Sequence, residues 1–454
     1  MIETKSTQAG LKRQLSLVSA MALVVGEVIA VGIFLTPADM AKSLGSPMWI
    51  LVVWLVMGGM ALSGALCYGE LAARFPAAGG GYVYLREAYG TGLAFVYGWK
   101  CFLVMDPGLS AALASGMAGY IGYVSNLSPF SAKLVAIALI VAFSIANIFG
   151  LKVSGLLMRW LTFLKLGLLT FIILWGFGKR LGDWSNFNPF IAQREGSTPL
   201  IGALAGGLVA AFFSFGGWWD VSKLAGEVRE PARVLPRAFA YGVSIVTLVY
   251  LLTSAVFIYL VPIERATSGE TFAAQAGEVL FGSAGGQIFS IIVIVSVSGS
   301  LLAVMMTAPR VYYAMARDGL FLSTAAQLHP RFHTPVRAII LQAALASLLV
   351  ALGSFNQIVA YFVFVTVGFI LLTVAAVFKL RKTPQKEKTF QTPLYPLTPI
   401  VFLALGAILL VLLAANNPVQ ALAGVAVVAL GAPVYFLFFR KNVSTMVSLK
   451  EEEN

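Results

Sequence analysis

The sequence predicts an all-α integral membrane protein, and two observations carry this prediction. The 454-residue chain is 59% apolar and 11% charged, whereas a soluble domain carries about 25% charged residues. The apolar residues gather in long stretches, and a helix that crosses a membrane needs about 20 of them in a row. Twelve such segments are predicted, at 15–43, 47–73, 91–124, 132–150, 154–178, 200–225, 235–261, 285–316, 337–353, 356–379, 396–414 and 418–439.

Glycines interrupt the first and the sixth of these segments. The first contains Gly26 and Gly32, and the sixth contains the pair Gly216-Gly217 followed closely by Asp220. Such glycines weaken a helix and leave backbone N–H and C=O groups without partners. Inside a membrane, bare backbone is tolerated only where it is buried in protein or lines a cavity. Two interrupted helices in corresponding positions of two halves indicate the binding site of a transporter.

The net charge of +12 reflects membrane orientation rather than nucleic-acid binding. If the N-terminus is cytoplasmic, most Lys and Arg residues fall in inner segments, and the outer segments hold only Lys42, Lys133, Lys179, Arg180, Arg194 and Arg265. This asymmetry predicts a multi-pass protein of the plasma or inner cell membrane with both termini in the cytoplasm. The first apolar segment is too long for a cleavable signal peptide. Residues 1–14 and 441–454 are predicted cytoplasmic tails.

The sequence gives no indication of an enzyme, a cofactor or a metal site. Cys67 and Cys101 lie inside predicted helices, where buried small apolar residues are the simplest interpretation. His329 and His333 lie in a basic connection outside the membrane, and a metal site needs more ligands. No nucleophile–base pair, nucleotide-binding loop or channel filter is visible. Transport or sensing of a small molecule is therefore the expected function.

Several motifs occur in the order and spacing of one known family. They are Gly32-Ile33-Phe34 with Thr36-Pro37, Gly64-Ala65-Leu66-Cys67-Tyr68-Gly69-Glu70-Leu71, Gly79-Gly80-Gly81-Tyr82, Lys165, Phe215-Gly216-Gly217-Trp218, Glu227 with Pro231 and Pro236, and Pro433-Val434-Tyr435-Phe436. The chain resembles the amino acid–polyamine–organocation superfamily, and within it the L-amino-acid transporter branch. The resemblance implies a LeuT-type fold with a core at 15–379, inverted repeats at 15–178 and 200–379, and two further helices within 380–440.

Backbone groups at the two interruptions suit a zwitterionic amino acid. A half-helix that begins at a break offers free N–H groups and a positive dipole end, and one that stops there offers free C=O groups. The amides of residues 31–33 are therefore expected to bind the carboxylate, and the carbonyls of Val28, Phe213 and Gly216 the ammonium. The resemblance implies the same positions. The alternative is that these glycines serve helix packing alone. The candidate substrate-binding residues are Val28, Ile29, Val31, Gly32, Ile33, Phe213, Gly216 and Trp219.

The chain departs from the family pattern at the first interruption. Ala30 and Val31 stand where relatives have glycine and a hydroxyl residue, and Glu27 stands where they have a short polar residue. An ionisable group inside a membrane segment indicates function by default. Glu27 has two interpretations, a binding residue or a structural partner of a nearby lysine or helix dipole.

Aromatic and acidic residues near the breaks are expected to shape the side-chain pocket. Phe213 resembles the family's gating aromatic, although ordinary packing is the alternative. Trp219 is expected to make the pocket smaller. Together with Glu27, Asp106 and Asp220 favour a cationic side chain, unless these acids pair with Lys100 or Lys223. Neutral amino acids are expected first and cationic ones second.

Lys165 lies in the middle of the fifth segment among apolar residues, too deep to reach water easily. A buried ammonium needs acceptors, and the end of the first half-helix around 26–29 offers free carbonyls. The resemblance implies that a lysine here takes the place of a sodium ion, so sodium-independent transport, most simply exchange, is expected. Pairing with Glu27 or Asp106 for stability alone is the structural alternative.

The expected function is secondary active transport of L-amino acids across the cell membrane by alternating access. Because burial disfavours the charged form of an amine, a proton-coupled amino-acid or polyamine symporter is an alternative. A non-transporting amino-acid sensor on the same scaffold is another. The expected partners are an amino-acid substrate and the lipid bilayer, with no nucleic acid. Relatives with a disulfide-linked partner subunit carry a cysteine between the third and fourth segments. The connection 125–132 has none, so no such subunit is expected.

Overall fold

The structure, a computed structural model, is a bundle of helices and describes residues 11–265, 272–352, 355–384, 389–416 and 418–440. Residues 1–10 of the predicted N-terminal tail and the predicted C-terminal tail 441–454 lie outside the described residues. Within those residues the only β-type contact is a single parallel bridge between Leu15 and Val228. The prediction of an all-α protein is confirmed.

The first half of the chain forms eight α-helices, and their ends follow the local sequence. Ser16 caps the first helix through its side-chain oxygen, and Pro47 and Pro129 begin two others, where a missing N–H costs nothing. A π-helical turn, Cys101–Met105, joins the fifth and sixth helices into one span. The helices are α1 (Leu17–Val28), α2 (Gly32–Leu44), α3 (Pro47–Arg74), α4 (Gly81–Tyr89), α5 (Thr91–Lys100), α6 (Asp106–Ser125), α7 (Pro129–Ile148) and α8 (Leu151–Gly178).

The second half begins after a connection that contains one short 3₁₀ turn, Trp184–Phe187. A longer 3₁₀ segment, Trp218–Glu227, follows α9, and a π-helical turn, Tyr435–Phe439, ends the described chain. The helices are α9 (Leu200–Phe215), α10 (Pro231–Leu260), α11 (Phe272–Phe281), α12 (Gly285–Thr307), α13 (Pro309–Arg317), α14 (Val336–Leu352), α15 (Phe355–Leu380), α16 (Leu397–Asn416), α17 (Pro418–Ala429) and α18 (Gly431–Val434).

Ten helical stretches of the described chain are long and apolar enough to cross a membrane, or eleven if α1 and α2 count as one bent span. The twelve predicted segments are all largely helical, but the segment predicted at 337–353 corresponds to α14, which is shorter than a typical span. The chain is therefore a multi-pass membrane protein by the length and composition of its helices. Eleven of the twelve predicted segments thus have the length and composition of a span when α1 and α2 count as one, and α14 falls just short of that length within the described residues.

Both predicted interruptions are present. α1 ends at Val28 and α2 begins at Gly32, and the two helices are bent by 44° at the break. α9 ends at Phe215, and the chain passes through extended Gly216 and left-handed Gly217, with φ of 106°, before the 3₁₀ segment begins. A left-handed residue interrupts a helix at little cost only if it is glycine. The glycine pair thus explains why the sixth segment breaks where it does.

The two halves of the first interrupted span pack against different partners. α1 lies against α8, α10 and α12, whereas α2 lies mainly along α9. α3 packs along the length of α10 and also meets α16. The break between α1 and α2 is consequently enclosed on every side by other helices, at the depth where bare backbone has to be buried in protein or line a cavity.

Buried ion pairs hold one end of the bundle together. The Arg310 guanidinium donates to both carboxylate oxygens of Glu227, at 2.8 and 3.3 Å, and both side chains are almost wholly buried. The backbone carbonyl of Glu227 also accepts from the amides of Gln14 and Leu15. Glu70 pairs with Arg381 through two bonds of 2.7 and 2.6 Å. These contacts join the start of the chain, the 3₁₀ segment and α13, and they join α3 to the residue that follows α15.

We expect Glu227→Gln to destabilise the protein strongly. The substitution leaves the guanidinium of Arg310 buried without a counter-charge, which typically costs about 3–5 kcal/mol. The thermal unfolding midpoint in detergent measures the effect. Glu230→Gln is the matched control, because that side chain is 72% exposed in a weak pair with Arg233 at 3.5 Å. Equal unfolding midpoints for the two variants would contradict the stabilising role of the Glu227–Arg310 pair.

Candidate functional site

A small cavity lies between the two interrupted spans. Its volume accessible to the centre of a water molecule is about 80 Å³, several times the roughly 10–15 Å³ that one water needs. Seven candidate residues from the sequence line it, namely Glu27, Val28, Val31, Gly32, Phe213, Gly216 and Trp219. Five other candidates do not line the cavity and lie behind its wall, namely Ile29, Ile33, Asp106, Lys165 and Asp220. The remaining lining is Ala30, Met105, Leu109, Leu113, Phe212, Ser214, Gly217, Val304, Val363 and Thr366.

The sequence does not predict the parts of the cavity wall that are contributed by α12, α15 and the region of α6. Met105, Leu109 and Val304 are apolar residues in apolar helices, and nothing in their local pattern separates a cavity wall from ordinary packing. The π-helical turn that precedes Asp106 is the one local irregularity there, and such turns are frequent at functional sites. No residue type in the turn predicts it from the sequence.

The start of α2 presents free backbone donors to the cavity. Within the described part of the chain, the amides of Val31, Gly32 and Ile33 donate no hydrogen bond. These groups are the first N–H groups of a helix and coincide with the positive end of its dipole. Two of the three residues, Val31 and Gly32, line the cavity wall. The geometry is suited to an anionic group such as a carboxylate.

Close contact between the two interrupted spans depends on Gly32. A methyl group on its Cα would lie only 2.7 Å from the Cα of Ser214, so no larger residue fits without displacing the backbone. Thr36 supports the same contact, because its hydroxyl lies 2.9 Å from both the Gly32 carbonyl and the Ser214 hydroxyl. These contacts hold the start of α2 against α9.

The carbonyl groups expected to bind an ammonium are partly occupied. The Tyr250 hydroxyl lies 2.9 Å from the Val28 carbonyl and 2.8 Å from the Ser214 carbonyl. The Phe213 carbonyl accepts from the amide of Gly216 at 3.3 Å. A carbonyl oxygen has two lone pairs, so each of these groups can accept a further bond. Tyr250 is a site component that the sequence did not indicate, since an aromatic residue in an apolar helix carries no distinguishing signal.

Lys165 lies at the end of α1, as the sequence predicts. Its ammonium donates to the carbonyls of Gly26, Ile29 and Ser296, at 2.8, 2.7 and 2.6 Å, and the side chain is completely buried. The hydroxyl of Ser300 donates to the Gly26 carbonyl as well, at 2.9 Å. The ammonium thereby satisfies all three of its donors with backbone oxygens. The alternative of a direct pair with Glu27 or Asp106 is not observed.

The other buried charges form a second group on the opposite side of the break. The Lys223 ammonium lies 2.9 Å from the Asp106 carboxylate and 3.0 Å from that of Asp220. The Tyr312 hydroxyl contacts the other oxygen of Asp106 at 3.4 Å. Asp106 and Asp220 therefore pair with Lys223, one of the two lysines that the sequence analysis offered as partners. The second, Lys100, contacts instead the Met105 sulfur at 3.0 Å and the ring face of Tyr97.

Aromatic side chains close the cavity around the second break. Trp219 is 6% exposed, and its ring lies nearly parallel to that of Phe212, with centroids 6.5 Å apart. Phe213 is half-buried and lines the cavity. The bulk of the two rings restricts the space beside the break, which limits the size of any bound side chain.

These features together define a class of protein. Spanning helices that are interrupted at two facing positions, with free backbone groups turned into a buried cavity, are characteristic of secondary transporters. The sequence profile described as amino acid permease matches residues 15–448, and the chain belongs to this family. It is a family of amino-acid transporters, not of enzymes.

Three relatives illustrate the match. The chain is 33% identical over 403 residues to the serine/threonine exchanger SteT of Bacillus subtilis, covering 87% of this chain and 90% of that protein. It is 29% identical over 433 residues to the human large neutral amino acids transporter small subunit 2, covering 94% and 80%. It is 27% identical over 439 residues to the human cystine/glutamate transporter, covering 94% and 85%. The resemblance inferred from the motifs is confirmed: the relatives are exchangers and transporters of the L-amino-acid type.

We expect Gly32→Ala and Gly59→Ala to have opposite effects. At Gly32 the added methyl group pushes α2 away from Ser214, whereas at Gly59 in α3 it meets nothing within 4 Å. In a helix interior, Ala is favoured over Gly by about 1 kcal/mol. The unfolding midpoint in detergent should therefore fall for Gly32→Ala and rise slightly for Gly59→Ala. A Gly32→Ala protein as stable as the Gly59→Ala protein would mean that the two spans are not in the contact described.

Proposed function

We propose that the protein is a secondary active transporter that moves L-amino acids across the cell membrane by alternating access. The carrying observation is the cavity in which the unbonded amides at the start of α2 face the carbonyl groups at the end of α9. An α-amino acid carries one negative and one positive group on the same carbon. The break between α1 and α2 offers backbone donors to the negative group, and the break after α9 offers backbone acceptors to the positive group, on opposite walls of the cavity.

The proposal assigns a role to each group at the breaks. The amides of residues 31–33 bind the substrate carboxylate, and the carbonyls of Val28, Phe213 and Gly216 bind the ammonium. Phe213 covers the bound substrate as a gate, and Trp219 limits the length of its side chain. Ile29 contributes to the site indirectly, because its carbonyl accepts from Lys165.

Small neutral amino acids are the proposed preferred substrates. The limited cavity and its largely apolar lining support this choice. One relative is named a serine/threonine exchanger, which supports a small substrate. Another is named a large neutral amino acids transporter, which supports the neutral charge but not the small size. Cationic amino acids are the second choice, because Glu27 places a carboxyl group on the cavity wall.

The proposed transport needs no sodium and proceeds by exchange. The ammonium of Lys165 occupies a position between α1, α8 and α12 and bonds with three backbone oxygens. Backbone oxygens are also the ligands that a bound alkali cation would use, so a fixed ammonium removes the need for such a cation.

The proposal extends to a LeuT-type inverted repeat, with 15–178 and 200–379 as its two halves. Both termini then lie in the cytoplasm, and no disulfide-linked subunit is required.

We expect recognition to require both charged groups of a free amino acid. The measurement is uptake of labelled L-alanine and L-serine into proteoliposomes, in competition with L-alanine, its methyl ester and its N-acetyl derivative. Blocking either group removes charge-assisted bonds worth roughly 1.5–3 kcal/mol each, so each derivative should compete about tenfold less well or worse. An ester that competes as well as the free acid would refute the carboxylate site at residues 31–33. Binding without uptake would indicate a sensor.

We expect wild-type uptake to be the same in sodium and in sodium-free buffer, and to increase when the vesicles contain unlabelled amino acid. Lys165→Met should lower uptake by about tenfold or more, because each bond lost from the buried ammonium is worth roughly 1.5–3 kcal/mol. Lys152→Met is the matched control, since Lys152 is an exposed lysine of the same helix. A wild-type protein that requires sodium would refute the proposed role of Lys165, and so would a folded Lys165→Met protein with normal uptake.

A further inference from the structure

Glu27 is a buried acid without a hydrogen-bond donor. Its side chain is 5% exposed and lines the cavity. In the part of the chain that the structure describes, neither carboxyl oxygen has a hydrogen-bond partner. A buried, unpaired carboxylate is strongly unfavourable, and such a group either finds a donor or takes up a proton. The proposed roles of the backbone groups leave this side chain unexplained.

Three buried lysines face the region, and each directs its ammonium elsewhere. Lys223 lies between Asp106 and Asp220, at 2.9 and 3.0 Å. Lys165 gives all three N–H bonds to backbone carbonyls. Lys100 contacts a methionine sulfur and an aromatic ring. These are the charged groups near the Glu27 carboxyl on α5, α6, α8 and the 3₁₀ segment, and no ammonium among them bonds to it.

The Glu27 side chain lies against the second break. Gly217 permits this close approach, because a methyl group on its Cα would lie 2.8 Å from Cγ of Glu27. An ionised carboxylate is an acceptor only, and in the described part of the chain no donor meets it. A protonated carboxyl is neutral, so burial without a donor favours the protonated form of Glu27 as long as no cation is bound beside it.

We propose that the Glu27 carboxyl carries a proton, and that a substrate with a cationic side chain displaces this proton when it enters the cavity. The inference rests on the proposed function and extends it to the charge of the substrate. With the proton in place, the wall that Glu27 forms is uncharged and suits a neutral side chain. Without the proton, the Glu27 carboxylate is an anionic partner for an ammonium. The proton passes to water, and the ammonium takes its place.

The displacement makes affinity for a cationic amino acid depend on pH. Each proton released on binding raises affinity by about tenfold for each unit of rising pH, over the range in which Glu27 holds its proton. A neutral amino acid binds without releasing the proton, so its affinity stays nearly constant. Selectivity for charge is thereby set by the protonation of one carboxyl group, while the backbone groups at the breaks recognise the part that all amino acids share.

The test compares L-ornithine with L-norleucine, which have side chains of similar size but different charge. Their dissociation constants for the purified wild-type protein are measured over a pH series by isothermal titration calorimetry. Buffers of different ionisation enthalpy give the number of protons released. We expect about one proton per ornithine and about none per norleucine, with ornithine affinity rising by about tenfold per pH unit.

Two variants connect the effect to Glu27. Glu27→Gln keeps the shape of the side chain but carries no exchangeable acid, so the ratio of ornithine to norleucine affinity should fall and no longer change with pH. Glu195→Gln is the control, because Glu195 is an exposed acid in a connecting segment, and it should behave as wild type. If Glu27→Gln fails to fold, the number of protons that the wild-type protein releases on binding ornithine still tests the proposal.

Three outcomes would overturn the proposal. They are ornithine binding without proton release, an ornithine affinity that does not change with pH, and an unaltered pH dependence in folded Glu27→Gln. If norleucine still binds in any of these cases, the proposed amino-acid site is not contradicted, and only the proton displacement is. A wild-type protein that binds neither amino acid at any pH would overturn both the proton displacement and the proposed function.

Discussion

The structure depends on how a helix that stops inside a membrane satisfies its last carbonyl groups. Water is absent at that depth, and each unmet backbone group costs several kcal/mol. Here a single ammonium, that of Lys165, meets carbonyls from the end of α1 and from α12. The break in the first span is stable because α8 supplies this ammonium and α12 adds the Ser300 hydroxyl, which also donates to the Gly26 carbonyl. The break in turn creates the free amides that face the cavity.

Sequence reasoning located the two interruptions and the lysine because each rests on a local rule. Three patterns can be recognised in the sequence alone: paired glycines, an apolar run of sufficient length, and a charged residue inside such a run. The positions of Tyr250, Met105 and Val304 at the cavity are not, since an apolar or aromatic residue in an apolar helix has the same pattern whether it packs or lines a site. The partner of Asp106 was left open between two lysines, and only the three-dimensional distances select Lys223.

The buried charges fall into two groups with different chemistry. On one side of the break, an ammonium is satisfied wholly by neutral backbone dipoles. On the other, carboxylates and an ammonium satisfy one another, with the Glu27 carboxyl at the edge of the group and in contact with the cavity. The first arrangement has no acid–base partner and fixes a helix end. The second holds three carboxyl groups, those of Glu27, Asp106 and Asp220, against the single ammonium of Lys223. Glu27, which that ammonium does not contact, is the one that lines the cavity.

The different packing of α1 and α2 has a mechanical consequence. α1 is fastened to α8 and α12 through Lys165, whereas α2 is fastened to α9 through Gly32 and Thr36. Any rotation of α2 and α9 relative to the rest of the bundle must be absorbed by the short segment between Val28 and Gly32, which acts as a hinge. The same segment leads into the unbonded amides at the cavity. A change in the hinge angle therefore changes the direction of these amides, so a carboxylate bound there in the way proposed would favour some hinge angles over others.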